Sequence, residues 1–350
     1  MHGTADVTSM GRDLSSDGFG GIFVNGELNI NAGRTYIGRD GRPRIWSNEQ
    51  KKGLVTNAPA TLRYDEWKDI DRKVIEISTQ RLKATAAFIS RGLTYNLGSI
   101  AAVVALWQRS SDMTPAEVTM DGVSESEEDR VNFDTKSVPV PIVHKDFRIN
   151  MRYLEASRRM GQGVDTIQAG IAARVVAEKN EDMLLSGTPI QVDGATVYGL
   201  LNHPDRNTAS LPLAWDNVSK TGALILADVI TMITAAKADR HFGPYLLLLP
   251  QAYEMVLDTD YRANDNRTIR QRIMALEGIA GIEIVDRMTA NNIVLVQLSD
   301  DVCDIAIAQD VTTIQWAEQG GLVQKYKVMS SMVPRVKSDF DARSGIVHMS

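Results

Sequence analysis

Ser137-Val138-Pro139-Val140-Pro141-Ile142-Val143-His144-Lys145-Asp146-Phe147-Arg148-Ile149 is the stretch on which the fold turns. Val138, Val140 and Ile142 recur at the two-residue period of a strand. Pro139 and Pro141 withhold the N–H groups that a ladder needs, so this strand is expected at an edge or interrupted. Upstream, Ile100–Trp107 is apolar, Gln108–Asp112 is polar, and Glu125, Glu127, Glu128 and Asp129 form an acidic run. That run could bind a cation, but a solvated loop tip needs no ion and is the simpler reading. Two extended arms around an acidic turn predict a long hairpin. Such a hairpin buries little within its own subunit, so it is expected to pack on a neighbour.

Outward from this stretch the period changes to that of helices. Downstream, Val164, Ile167, Ile171, Val175 and Val176 mark one apolar face, and Arg174, Glu178, Lys179, Glu181 and Asp182 supply polar ones. Ser186-Gly187-Thr188-Pro189 carries the stop chemistry. From Val164 to Leu185 the helix would span ~33 Å, the length of a structural spine. Upstream, Trp67, Ile70, Val74 and Ile77 give a stripe over Tyr64–Ile77 that Leu82, Ala86 and Ile89 continue, with Gly92 as a stop. Past Pro189 come a strand and turn at Val197–Pro204, a helix at Ala223–Ala238, a buried strand at Tyr245–Pro250 and helices at Ala252–Leu257 and Thr268–Leu276. Strands at Ile282–Val285, Ile293–Val296 and Val302–Ala308 and an alternating tail from Leu322 to Val347 complete an α+β chain.

The 350-residue chain is 43% apolar and 23% charged, which is globular and sufficient for two or three packing units. Its net charge of −6 lacks the basic excess with which proteins grip nucleic acid by releasing counterions. Tight DNA binding is not expected, whereas enclosing DNA is compatible with this charge. Met1–Met10 is polar, unlike a signal peptide. The longest apolar runs, Ile100–Trp107 and Tyr245–Pro250, fall far short of the ~18 residues of a membrane span. A soluble protein made in the cytoplasm is expected. Residues 1–60 stand apart, with ten of the 26 glycines and no helical period, a composition that cannot close a core. An extended arm lying on neighbouring subunits is expected there. Arg34, Arg39, Arg42 and Arg44 give this arm a basic cluster. They are candidate inter-subunit contacts for the acidic tip at Glu125, Glu127, Glu128 and Asp129.

Chemistry is sparse. Gly18-Phe19-Gly20-Gly21 precedes no helix and ends in no Gly-Lys-Ser/Thr, so it is no phosphate cradle. His2, His144, His203, His241 and His348 include no pair four apart, which excludes the helical zinc motif. His203 near Asp205 reads as a paired turn histidine, and His241 as a residue favoured at a helix C-terminus. The one cysteine, Cys303, permits no intramolecular disulfide and reads as a small core residue in the strand Asp301–Ile307. Asp300-Asp301 reads as a turn, and there is no Gly-x-Ser-x-Gly elbow. No catalytic residue, metal or cofactor is assigned, and the chain is not read as an enzyme.

Several segments resemble one family. Tyr64–Asp71 is similar to the opening helix of encapsulins, and Val138–Phe147 to the strand that ends the family's E-loop. Met151–Gly187, with Glu178, Glu181 and Ser186-Gly187, is similar to its spine helix, and Tyr198-Gly199-Leu200 to the glycine turn that follows. The set resembles the Hong Kong 97-type capsid fold of tailed-phage major capsid proteins and encapsulin shells over about residues 62–350. The resemblance implies an N-terminal arm at 1–61, a peripheral domain with the spine helix at 62–98 and 134–190, and an extended E-loop hairpin at 99–133. A mixed axial domain at 191–320 follows, then C-terminal strands at 321–350 that return to the peripheral domain. It implies assembly, not catalysis. The implied protein is a phage major capsid subunit forming hexamers and pentamers around double-stranded DNA, with scaffolding, decoration and portal proteins as further partners. It would be assembled in the host cytoplasm and reside in the virion. The alternative is an encapsulin-like compartment around a cargo enzyme. The additional N-terminal arm departs from encapsulins and favours the phage reading. The Lys, Asn and Glu of an isopeptide crosslink are not assigned.

Limited proteolysis is expected to cut residues 1–60 first in the free subunit and to spare them in an assembled shell. Equal resistance in both states would overturn the arm's dependence on neighbours.

Overall fold

The computed structural model describes four short N-terminal strands and residues 64–120, 128–159, 166–262, 265–319 and 322–350. The short strands are Phe23–Val24, Glu27–Leu28, Thr35–Ile37 and Pro43–Ile45 (β1–β4), paired β1 with β2 and β3 with β4. The rest of the expected arm lies outside the described residues. The helices that follow are Tyr64–Arg81 (α1), Lys83–Ser90 (α2), Met151–Arg159 (α3), Ile167–Ser186 (α4), Gly222–Ala238 (α5), Glu254–Leu257 (α6) and Ile269–Met274 (α7). The strands are Thr94–Asn96 (β5), Val104–Ser110 (β6), Phe133–Pro139 (β7), Val143–Asn150 (β8), Thr188–Val192 (β9), Ala195–Val197 (β10), Asn207–Ala209 (β11) and Tyr245–Pro250 (β12). They continue with Asp260–Arg262 (β13), Asp265–Thr268 (β14), Ile279–Val285 (β15), Ile293–Gln297 (β16), Cys303–Glu318 (β17), Val323–Val336 (β18) and Ile346–Met349 (β19). The chain divides into a smaller unit, Met1–Trp67 with Arg148–Val164 and Gln315–Lys325, and a larger one, Lys68–Phe147 with Asp165–Ile314 and Tyr326–Ser350.

The larger unit is organised by a sheet of order β11-β19-β16-β12-β15. Its strand β12 lies between β16 and β15, runs parallel to β15 and antiparallel to β16, and all six of its residues are buried. Leu246 and Leu248 join a core with Phe88, Leu184 and Cys303. Tyr245, Leu247 and Leu249 join another with Trp215 and with Ile225, Val229 and Met232 of α5. A strand covered on both faces needs no polar alternation, which is why β12 reads in the sequence as an unbroken apolar run. A second sheet has the order β5-β17-β18-β8. Its Ala306, Ala308 and Val333 pack with Val138, Val140, Met183 and Val197 in a third core.

The predicted spine is α4, and it stops where the stop chemistry stands. Gly187 has a φ of +67°, and a Cβ there would lie 2.1 Å from the Val197 carbonyl oxygen, so only glycine lets the strand after the helix cross it this closely. The Leu200 and Leu201 N–H groups then donate to the Leu184 and Leu185 carbonyls at 2.9 and 2.8 Å. The stripe expected to run from Tyr64 through Ile89 forms two helices rather than one. The second, α2, is capped from outside: the Glu181 carboxylate of α4 accepts from the Ala84 N–H at 2.7 Å, the Thr85 N–H at 3.3 Å and the Thr85 hydroxyl at 3.0 Å. It thereby fills the orphan donors of the first turn and opposes the helix dipole.

Residues 321–350 divide between the two sheets: β18 joins the second while β19 inserts between β11 and β16 of the first. All four residues of β19 are buried, and only the doubly covered sheet can hide such a strand. The strand expected at Val302–Ala308 lies in the second sheet and continues to Glu318. In the smaller unit, the ends of β17 and β18 are joined by Lys325 Nζ on Glu318 at 2.8 Å and by Gln315 Nε2 donating to Gln324 Oε1 at 3.0 Å. The Met151 N–H of α3 donates to the Leu322 carbonyl at 2.9 Å.

Burial raises the pKa of the Glu181 carboxyl above the usual glutamate range, although its three hydrogen bonds pull it down. A group with a raised folded pKa contributes fully below its unfolded value, and that contribution is lost as pH rises through the folded one. Glu181→Gln is therefore expected to flatten the fall in unfolding free energy above ~pH 4.3, read by denaturant titration at several pH values. An unchanged slope would remove Glu181 as its source.

Candidate assembly surface

The predicted hairpin is the pair β6 and β7, in antiparallel register from Val104↔Pro139 to Ser110↔Phe133. Ala105 and Val138 face the protein, whereas Leu106 and Phe133 are 58% and 72% exposed. Past Ser110 the chain carries Met113, Val118 and Met120 with exposures of 61%, 98% and 105%. Polar bonds hold this outer part: Asp129 accepts from the Thr114 N–H at 2.9 Å, the Asn132 N–H donates to Ser111 Oγ at 3.0 Å, and Asp112 pairs with Arg240 at 2.7 Å. Its apolar side chains have no cover within the described residues.

The base of the hairpin is held by charge. Arg335 of β18 grips Asp304 of β17 through Nε at 2.7 Å and Nη2 at 2.6 Å, and each side chain is 4% exposed. Lys337 adds a third bond to Asp304 at 2.8 Å. The remaining Arg335 nitrogen donates to the Leu106 carbonyl of β6 at 3.2 Å, and the guanidinium lies 3.9 Å from the Tyr95 ring centre of β5. Four strands thus meet at one side chain. Further out, Asp134 of β7 binds Arg109 and Lys136 at 2.8 and 3.2 Å, and hydrogen bonds from Lys136 and then Arg109 keep its carboxyl below the usual aspartate range. Beside it opens a cavity of about 590 Å³ lined by Trp107, Lys136, Thr196, His203 and Phe340.

A second apolar surface lies on α4. The sequence marks Ile167, Ile171, Val175 and Val176 as one face, but the structure divides them. Val176 is buried with Ala169, Ala172, Ala173 and Ala177, whereas Ile167, Ile171 and Val175 are 68%, 50% and 38% exposed. Small residues allow close approach, and a Cβ on Gly170 would lie 2.7 Å from Ile77 Cδ1. The helix therefore packs by its alanines and turns its β-branched stripe outward.

Of the candidate contacts, Arg34, Arg39, Arg42, Glu125 and Glu127 lie outside the described residues. Arg44 falls in β4, Glu128 is exposed, and Asp129 closes the hairpin onto Thr114. Cys303 is fully buried, and burial pushes its thiol pKa up, which fits a core residue and not a thiolate. His203 accepts from the Asp205 N–H at 3.2 Å, as a turn histidine. Among the described residues no group of three His, Cys, Asp or Glu could hold a metal ion, and no helix is long and apolar enough to cross a membrane. Sequence reasoning missed Arg335 and Asp304. The available signal was a charge at Asp304 inside the otherwise apolar run Val302–Ala308.

Residues 57–349 match the family of unknown function DUF6260. The chain is 24% identical over 291 residues to the type 1 encapsulin shell protein EncA of Myxococcus xanthus, covering 81% of this chain and 93% of that protein. It superposes on the virus-like particle protein of Pyrococcus furiosus with a TM-score of 0.58 at 15% identity, over 82% of this chain and 99% of the other. The capsid protein of Myoviridae phage XM1 gives a TM-score of 0.58 at 12% identity, over 87% and 98%. These likenesses establish the Hong Kong 97-type capsid fold, as an α+β chain.

Breaking a buried pair leaves a bare charge in a place water cannot reach, at about 3–5 kcal/mol. Asp304→Asn is expected to lower the unfolding free energy by that amount in urea. The double variant Asp304→Leu with Arg335→Met, which removes both charges, should lose less. The reverse ranking would overturn the pairing argument.

Proposed function

We propose that this chain, which belongs to the family of unknown function DUF6260, is the major capsid protein of a tailed bacteriophage. It assembles with copies of itself into the icosahedral head shell that encloses double-stranded DNA. The coarse part of this reading rests on the fold, which is that of shell-forming capsid proteins. It is a structural protein, not an enzyme. The observation that carries the reading is the pair of apolar surfaces exposed among the described residues, the outer hairpin with Val118 and Met120 and the α4 stripe of Ile167, Ile171 and Val175. A monomer in water gains nothing by extending such side chains, and contiguous exposed apolar patches mark association.

Hexamers and pentamers of the chain would form the shell in the host cytoplasm and remain in the virion, with scaffolding, decoration and portal proteins joining it. The net charge of −6 suits a wall that encloses DNA without gripping it. Like-charged surfaces are screened beyond ~8 Å at physiological salt. The four arginines of the arm are assigned to contacts with neighbouring subunits. A second reading, an encapsulin-like compartment around a cargo enzyme, is favoured by the similarity to the Myxococcus xanthus shell protein.

Electron microscopy of the purified protein is expected to show closed shells, and replacing Arg34, Arg39, Arg42 and Arg44 by glutamine should impair their formation. A protein that stays monomeric at high concentration would sink the shell reading. Normal empty shells from the variant would move the arginines from protein contact to DNA contact. Particles from the native source that hold a protein cargo and no DNA would decide for the compartment.

A further inference from the structure

His348 occupies the middle of β19 and is 6% exposed. Arg206 Nε lies 3.2 Å from His348 Nδ1. A guanidinium can only donate, so Nδ1 holds the lone pair, and the proton sits on Nε2, 2.8 Å from the Asn292 side-chain oxygen. The same Arg206 donates through Nη1 to the His203 carbonyl at 2.8 Å. It thereby closes the turn before β11, the edge strand that pairs with β19 at Thr208↔His348.

That turn holds something else. Ser338 Oγ donates to the Asp205 carboxylate at 2.7 Å and Ser344 Oγ to the Asp205 carbonyl at 2.9 Å, so the turn pins both ends of residues 338–344. This loop in turn touches the hairpin: Arg109 of β6 donates to the Asp339 carbonyl at 3.2 Å and lies 5.6 Å from the Phe340 ring centre. One continuous set of bonds runs from His348 through Arg206 and Asp205 to the base of the hairpin.

We propose that this set is an acid-released latch: protonation of His348 expels Arg206, frees the 203–206 turn and loosens the loop that braces the hairpin. The chemistry is a loss of acceptor. Once Nδ1 carries a proton, two N–H donors on two cations face each other across 3.2 Å in a site with little water. The other charged groups packed on the turn are Asp205, His203, Asp239 through Asn207 Nδ2 at 2.8 Å, and Asp339, Asp341 and Arg343 of the loop. β16 and β19 contribute no other charge. Burial first, then Arg206, keeps His348 below the usual histidine range. His203 is lowered by burial and by Arg206, with Asp205 opposing. A depressed folded pKa places the full contribution above the unfolded value of ~6.5 and removes it as pH falls. As regulation of assembly the latch rests on the shell reading, but as a property of the subunit it does not.

Hydrogen exchange of the free subunit, corrected for intrinsic rate, tests it at about pH 7.5 and 5.5, on either side of the histidine range. Peptides covering 203–211 and 338–344 are expected to lose protection by up to about tenfold at the lower pH, the most that one histidine titrating a pH unit below its unfolded value can set. His348→Asn retains an acceptor for Arg206 and cannot take a proton, so it should lose clearly less, keeping only the share that His203 contributes. Should that variant fail to fold, Arg206→Gln removes the opposing cation and is expected to shrink the acid effect. Equal protection of the wild type at both pH values, or the same loss in His348→Asn or Arg206→Gln, would overturn the latch. Failure to form shells at pH 7.5 would count against the shell reading alone, because the exchange measurement needs no assembly.

Discussion

Arg335 is the point through which the second sheet and the hairpin depend on each other. A guanidinium buried between strands must use its donors, and here they go to Asp304 on β17, to the Leu106 carbonyl on β6 and, by its face, to Tyr95 on β5. Two buried charges cost several kcal/mol to desolvate, and an apolar pair of the same shape could be as stable. What the pair contributes is register. A slip of either strand by one residue would carry Asp304 or Arg335 to the opposite face and leave a bare charge inside. The hairpin projects in one direction because its base admits only one alignment of the strands beneath it.

The outward parts follow from economy at the inward ones. The alanine face of α4 lets other elements come close, and the glycine turn at its end lets the chain cross directly over its last carbonyls. Both choices put small residues inside and leave larger apolar residues exposed among the described residues. In an ordinary soluble enzyme the isoleucines would be the core and the alanines the surface. The inversion is consistent with a subunit whose second half of packing comes from other molecules.

Much of this was legible in the sequence. β12 could be read because both faces are buried and nothing polar interrupts it. The bounds of α4 could be read because glycine and proline leave few conformations at its end, and the prolines at 139 and 141 marked a strand that stops pairing. The inward face of α4 was misread because apolarity was counted without size, and alanine contributes little to such a count. The fate of β17 and β19 was not legible, since the length of one and the sheet of the other are set by partners far along the chain. The Glu181 cap and the Arg335–Asp304 pair join residues 97 and 31 positions apart, and no local pattern encodes such a meeting. Arg34, Arg39 and Arg42 of the arm and Glu125 and Glu127 of the acidic tip lie outside the described residues, so their pairing stands as proposed.

The burial of Cys303, the chain's one cysteine, reaches beyond the core it fills. With no thiol at the surface, copies of this chain have no means of being stapled to one another by oxidation. Contacts between copies therefore owe nothing to disulfide bonds. A particle built from such copies would be indifferent to redox poise as far as disulfides are concerned, and a reductant would not be the agent that opens it.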